Sequence, residues 1–176
     1  MYCGKNKTAL ASQAQIAQAL LNLLAEKSYQ EISICELCRE AGVSRQTFYS
    51  LFSSKDNVII FILKESSCLL PAPDPSLTCL EQLCSLYSEY IIRQRGLIRT
   101  LVDNHIIELL TDSFTDMLTD CSCFLSAMDP STRSYAASFL AGGFTSIARN
   151  YVLEDPPVSP DTLTRLCIDL FRGRLL

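Results

Sequence analysis

Two groups of residues in this chain have types and spacings that can do chemistry: cysteines set close together, and a run of polar and basic side chains on one helical face. Cys35 and Cys38 have the Cys-x-x-Cys spacing of redox and metal sites, yet no second pair of that spacing and no neighbouring histidine completes a ligand set. Cys38 also falls on the apolar stripe with Leu37 and Ala41, so a small buried core residue is expected. Cys121 and Cys123 stand two apart, and on a helix such side chains diverge. Nine cysteines is an odd number, which excludes complete pairing within the chain and favours reduced thiols, with a thiol switch left open. His105 is the sole histidine and reads as surface at a helix N-terminus. With no Gly-rich phosphate loop, no metal-ligand cluster and no Ser/His/Asp set, neither an enzyme activity nor a cofactor is expected.

The second group is more informative. Arg45, Gln46, Thr47, Tyr49 and Ser50 share the outer face of a short helix, and their donors and acceptors suit base edges and phosphate oxygens. An ordinary solvated face would show Glu and Lys. The elements that must hold this face are legible around it. From Leu10, the apolar residues Ile16, Ala17, Leu20, Leu21, Leu23 and Leu24 recur at helical spacing and predict a first amphipathic helix. Ser33 and Glu36 have the spacing of a capping box and open a second, short helix whose apolar face is Ile34, Leu37, Cys38 and Ala41. Gly42 stands where a helix end wants a residue tolerant of positive φ. Ser44 then caps a third helix, Arg45 to Leu51, carrying Phe48 and Phe52 inward. Ser53 and Asp56 repeat the cap signature before a longer helix through Val58, Ile59, Phe61, Ile62 and Leu63. Two short helices joined by a glycine turn and braced on both sides make a helix-turn-helix, although periodicity alone equally allows a plain helical hairpin. Apart from Glu36, no acidic group occupies the N-termini of the two short helices, which leaves their amide donors available to phosphate.

Pro71, Pro73 and Pro75 end any helical run and predict a joint, giving domains at 1–66 and 67–176. Beyond it, helical patterns cover about 77–94, 97–101, 104–128, 131–153 and 161–172, and strand alternation is absent. The fold class is therefore all-α, with about nine helices. Phe114, Met117, Leu118 and Phe124, then Tyr135, Phe139, Leu140, Phe144 and Ile147, supply a large apolar core for the second region, and no ligand site is singled out within it. Gly142 and Gly143 in mid-helix cost about 1 kcal/mol each relative to Ala, which suggests close helix approach. The net charge of −4 argues at first against a nucleic-acid partner. Its distribution removes the objection: residues 1–65 hold seven Lys/Arg against six Asp/Glu, and 66–176 hold eight against thirteen. The longest apolar run, Val58 to Leu63, is far short of the ~20 residues a bilayer span needs, so a cytoplasmic protein with no membrane association is expected.

The stretch Ala41-Gly42-Val43-Ser44-Arg45-Gln46-Thr47-Phe48-Tyr49-Ser50-Leu51-Phe52-Ser53-Ser54-Lys55-Asp56 resembles the signature of the TetR family of regulators, over roughly residues 9–65. The resemblance implies an N-terminal three-helix helix-turn-helix domain and a C-terminal helical domain for dimerisation and effector sensing. It implies that Tyr49 contacts DNA, that Ser44, Arg45, Gln46, Thr47 and Ser50 sit at recognition-helix positions, and that Lys55 meets phosphate; Ser33, opening the second helix, is grouped with them. Leu51 departs from the pattern, since relatives often carry His, Tyr or Arg there for a backbone contact. Lys5 and Lys7, before the first helix, read as a solvated N-terminal tail, with reach to the flanking DNA backbone or minor groove as the alternative. Residues 135–151, followed by Ser159-Pro160-Asp161, are similar to the end of a TetR subgroup's C-terminal domain, where a tryptophan commonly stands at the position of Tyr151. There the last two helices, here about 131–153 and 161–172, form the dimer interface. The expectation is a homodimeric regulator on a pseudo-palindromic double-stranded operator, a repressor by default, with room for a small-molecule effector. The alternative is a helical adaptor or co-activator of the same fold that acts through protein partners.

Overall fold

Asn6 opens the first helix: its side-chain oxygen accepts from the Thr8 amide at 2.9 Å, satisfying a donor that the helix itself leaves free. Helix α1 therefore runs Lys7–Leu24, and Lys7 belongs to its first turn rather than to a tail. The computed structural model describes residues 6–67, 78–120, 125 and 128–173. Lys5, the Pro71/Pro73/Pro75 cluster, Cys121, Cys123 and Phe124 lie outside them. Among the described residues every regular element is helical, in two units, Met1–Glu65 and Ser66–Leu176.

In the first unit, α1 is followed by a 3-10 turn, Tyr29–Glu31, and by α2 (Ile34–Glu40), α3 (Arg45–Leu51) and α4 (Lys55–Ser67). Ile16, Leu20, Leu37, Phe48, Phe52, Val58, Ile59 and Leu63 form its core, each at most 1% exposed. The turn between α2 and α3 is a backbone solution. Gly42 has φ +66°, and the Val43 amide reaches back to the Cys38 carbonyl at 3.0 Å. A Cβ at Gly42 would meet nothing within 4 Å, so an L-residue there pays only the left-handed conformation, roughly 1–2 kcal/mol.

The second unit holds α5 (Cys79–Arg93), α6 (Arg95–Asp103), α7 (Glu108–Asp120), α8 (Pro130–Leu153) and α9 (Pro160–Phe171). Helix α8 is its spine, with α7 and α6 packed along it and α5 against α9. Aromatic rings fill the middle: Tyr87 stacks on Phe144 at 3.8 Å, Phe114 meets Tyr87 edge-on at 4.4 Å, and Phe171 lies 4.5 Å from Phe144. The two adjacent glycines of α8 differ. A Cβ on Gly143 would come within 3.0 Å of the Phe171 ring, the close approach expected, whereas one on Gly142 would meet nothing within 4 Å. The thiols of Cys84 and Cys167 are fully buried, and burial pushes Cys84 up to about 12, which holds it in the unreactive protonated form.

The stretch expected as one helix over 104–128 breaks at its start. Helix α6 extends to Asp103 and closes in a left-handed turn, with His105 at φ +56° and the Ile106 amide bonded to the Leu101 carbonyl at 3.0 Å. His105 thus terminates α6 rather than opening α7, a place where a residue other than glycine is tolerated at some cost.

Helix α5 carries a full capping box. The Thr78 amide donates to Glu81 Oε2 at 2.9 Å and the Glu81 amide to Thr78 Oγ1 at 3.3 Å, while Arg172 at the end of α9 reaches Glu81 at 2.7 Å. The hydrogen bonds from the Thr78 amide and hydroxyl, then from Arg172, hold the Glu81 carboxyl down at about 2 against an ordinary 4.5. A depressed folded-state value stabilises above the unfolded value and is lost as pH falls through the folded one. Glu81→Gln is therefore expected to flatten the decline of the melting temperature between pH 4.5 and pH 2. A pH series of thermal melts on both proteins checks this.

Candidate nucleic-acid interface

The candidate recognition face is built from α3 outward. Ser44 has extended backbone, and its hydroxyl accepts from the Thr47 amide at 3.0 Å, which starts the helix. Phe48 and Leu51 then point into the core at 0% and 4% exposure, leaving Arg45, Gln46, Tyr49 and Ser50 exposed and Thr47 half-buried. Tyr49 is 51% exposed, and its ring is fixed at one side by Phe48, edge-on at 5.4 Å. Leu51, the departure from the family pattern, is a core residue. Its position faces away from any surface ligand.

The polar groups of this face divide into two sets. Ser44 and Thr47 share a hydroxyl–hydroxyl contact at 2.9 Å, and the Ser50 hydroxyl donates to the Thr47 carbonyl at 2.7 Å, so all three hydroxyls are engaged within the helix. Among the described residues no hydrogen bond engages the side chains of Arg45, Gln46 or Tyr49. These three present the free donors and acceptors.

Ser33 caps α2 by accepting from the Glu36 amide at 3.2 Å. The Glu36 carboxylate, expected to complete the box, has Lys27 as its leading partner at 2.6 Å, and that hydrogen bond lowers the carboxyl and raises the ammonium. The cap on α4 also shifts by one residue. Ser54 accepts from the Asn57 amide at 3.3 Å, and Asp56 instead takes the hydrogen bond of the Tyr29 hydroxyl.

Lys55 is placed differently from the rest of the set. Its ammonium donates to the backbone carbonyls of Tyr29, at 2.7 Å, and of Ile32, and lies 4.4 Å from the centre of the Tyr29 ring. Desolvation lowers its pKa. Lys55, expected to meet phosphate, is half-buried and gives two of its three N–H donors to backbone carbonyls. Sequence reasoning missed Tyr29 and its turn, although Ser28 and Glu31 carry the same capping-box spacing that located α2; both halves of that box form, with the Ser28 amide donating to Glu31 at 3.1 Å.

Cys35 and Cys38 separate as their positions on α2 require, the first exposed and the second 4% exposed in the core. Among the described residues no group of three His, Cys, Asp or Glu side chains is arranged to hold a metal, and no helix is long and apolar enough to cross a membrane.

Residues 16–60 match the family model for the N-terminal domain of bacterial regulatory proteins of the tetR family. The chain is 29% identical over 58 residues to the HTH-type dhaKLM operon transcriptional activator DhaS of Lactococcus lactis subsp. lactis (strain IL1403), a match covering 33% of this chain. It spans about a third, 31%, of that relative's length. Among solved structures, Lin0861 from Listeria innocua superposes with a TM-score of 0.77 at 15% identity, covering 98% of this chain and 96% of that one. A TetR transcriptional regulator from Streptococcus agalactiae 2603V gives 0.59 at 16% identity, covering 93% and 95%. At these identities the structural likeness establishes the fold, and the match over 16–60 establishes what kind of N-terminal domain it is.

Proposed function

We propose that this chain, which belongs to the TetR family of bacterial regulators, binds a pseudo-palindromic DNA operator as a homodimer and regulates transcription there. The observation that carries the reading is the triplet Arg45, Gln46 and Tyr49, free of hydrogen bonds to the described residues on an exposed helix that follows a glycine turn. Arg45 and Gln46 have the fork geometries that read purine edges in a major groove, and Tyr49 offers a hydroxyl on a braced ring. Ser33, Ser44, Thr47 and Ser50 are capping and packing hydroxyls first. Their remaining lone pairs and protons serve backbone contacts that set register rather than sequence preference.

Residues 1–66 carry this activity in the proposal, and 67–176 dimerise. One short recognition helix touches too few bases to select a site, whereas a two-fold dimer doubles the contacts and fixes half-sites about 34 Å apart. Helices α8 and α9 carry the apolar surface for it. Tyr135 and Phe139 are 79% and 72% exposed in the single chain, with Leu153, Leu166 and Leu170 also exposed. Residues 135, 139, 142, 146, 149 and 153 recur every three or four positions and so share one face of α8. Gly142, open to a Cβ within its own chain, lies in that row, where a second copy's backbone can approach.

Promoter blocking is the default mode for such a dimer. The name of the Lactococcus relative, an activator, favours a second mode in which the bound dimer recruits rather than blocks; a promoter fusion with and without the gene gives the sign. An effector would have to bind the DNA-incompetent arrangement more tightly than the other to act at all. Selection from a random DNA library, with the mass of the particle measured on the same sample, tests the whole reading. An inverted repeat recovered by a dimer is the expected result. No enrichment at low salt would replace it with the protein-binding adaptor of the same fold.

A further inference from the structure

Along the exposed row of α8 the side chains change in size and charge about one point. Tyr135 and Phe139 stand before Gly142, and Ser146, Arg149 and Leu153 stand after it, all five exposed. Arg149 is the single charge in the row. Among the described residues it has no hydrogen bond or ion pair, and Tyr135 has no ring partner. Tyr135 and Arg149 each lie seven residues from Gly142, close to two full turns. Both therefore share its face, at about 10 Å from it along the helix.

A two-fold axis can pair this row with its own copy in two ways. With the axis along the helices each residue meets itself, which sets arginine 149 against its own like charge at a surface that is losing water. With the axis across them at Gly142, the helices run antiparallel and residues equally far on either side meet. Phe139 then falls opposite Ser146, large against small, and Tyr135 opposite Arg149. A ring face attracts the guanidinium it covers, and a glycine open to a Cβ lets the two backbones close. We propose that the two α8 helices of the dimer cross antiparallel at Gly142, with Tyr135 of each copy packed on Arg149 of the other. The pair fixes the register and selects a second copy of this chain over other regulators of the same fold, because a partner without the ring leaves an arginine desolvated and uncovered. The inference rests on the homodimer reading above and deepens it.

The experiment exchanges the two side chains in the full chain and measures the dimer dissociation constant by sedimentation. Tyr135→Arg sets arginine beside arginine, and Arg149→Tyr removes the cation. Each is expected to raise the constant at least tenfold, since a two-fold dimer holds the pair twice. The double variant, Tyr135→Arg with Arg149→Tyr, rebuilds the pair in reverse and is expected to return to within about threefold of the unsubstituted chain. Mixed with that chain, it should form fewer mixed dimers than random exchange gives. Single substitutions without effect, or losses that add in the double variant, overturn the pairing. Both side chains are exposed in the single chain, so the variants keep the fold, which circular dichroism verifies. Gly142→Leu, with open space around it in its own chain, is expected to keep its helicity and to be monomeric at micromolar concentration. A Gly142→Leu dimer as tight as the original overturns the crossing point. An unsubstituted chain that is monomeric overturns the homodimer reading and this inference together, whereas a tight dimer whose losses add overturns the inference alone.

Discussion

Replacing Phe139 with glutamate is expected to turn dimers into monomers and to remove operator binding with them. In the single chain this ring is 72% exposed, with Phe171 edge-on at 6.4 Å, so the substitution costs the isolated fold little. In a four-helix interface made from α8 and α9 of two copies it would sit in the middle of the apolar patch. Burying most of one aromatic side chain at about 25 cal/mol/Å2 is worth roughly 3 kcal/mol, counted once for each subunit. Glutamate forfeits that term and adds two like charges at a desolvated surface. Sedimentation of both proteins at micromolar concentration, with helicity followed by circular dichroism, checks the outcome. A Phe139→Glu chain that remains dimeric, with helicity intact, would move the interface off this face.

The second large effect is expected of α3. Arg45→Ala is expected to cost about 1–3 kcal/mol at each half-site and to relax the base preference at one position, since a bidentate contact carries that much discrimination. Tyr49→Phe should weaken binding less, because the ring keeps its place against Phe48 and only the hydroxyl is lost. Neither side chain belongs to the core, so both variants should melt with the unsubstituted protein. Binding titrations against single-base operator variants, paired with thermal melts, separate the effects. Equal losses of binding and of folding would count against a recognition role.

What could be seen in the sequence was what local rules encode. The bounds of α3, the inward turn of Phe48 and Phe52, the positive φ at Gly42 and the burial of Cys38 all follow from caps, periodicity and backbone sterics within a few residues. Lys55, Asp56 and Glu36 behaved differently, because each has a competing partner brought in by tertiary structure. Asp56 stands where a charge-bearing cap belongs and takes the Tyr29 hydroxyl instead, while Glu36 adds Lys27 as its leading partner to the cap contact with Ser33. No pattern within a helix announces a bond across 26 residues. His105 was misplaced for a simpler reason: a histidine in the left-handed region leaves no compositional mark, whereas a glycine at the same point would have ended α6 visibly.

If α3 reads DNA as proposed, the commitment of the Ser44, Thr47 and Ser50 hydroxyls within the capped helix would leave each subunit a vocabulary of three letters, Arg45, Gln46 and Tyr49. A word spelled by so few readers recurs by chance throughout any genome, so a lone half-site carries almost no address. In the proposed dimer the address would lie in the gap between two such words, a length set by the distance between the two copies of α3. A lineage of such dimers that lengthened or turned that gap would acquire a new list of target promoters while Arg45, Gln46 and Tyr49 stayed as they are.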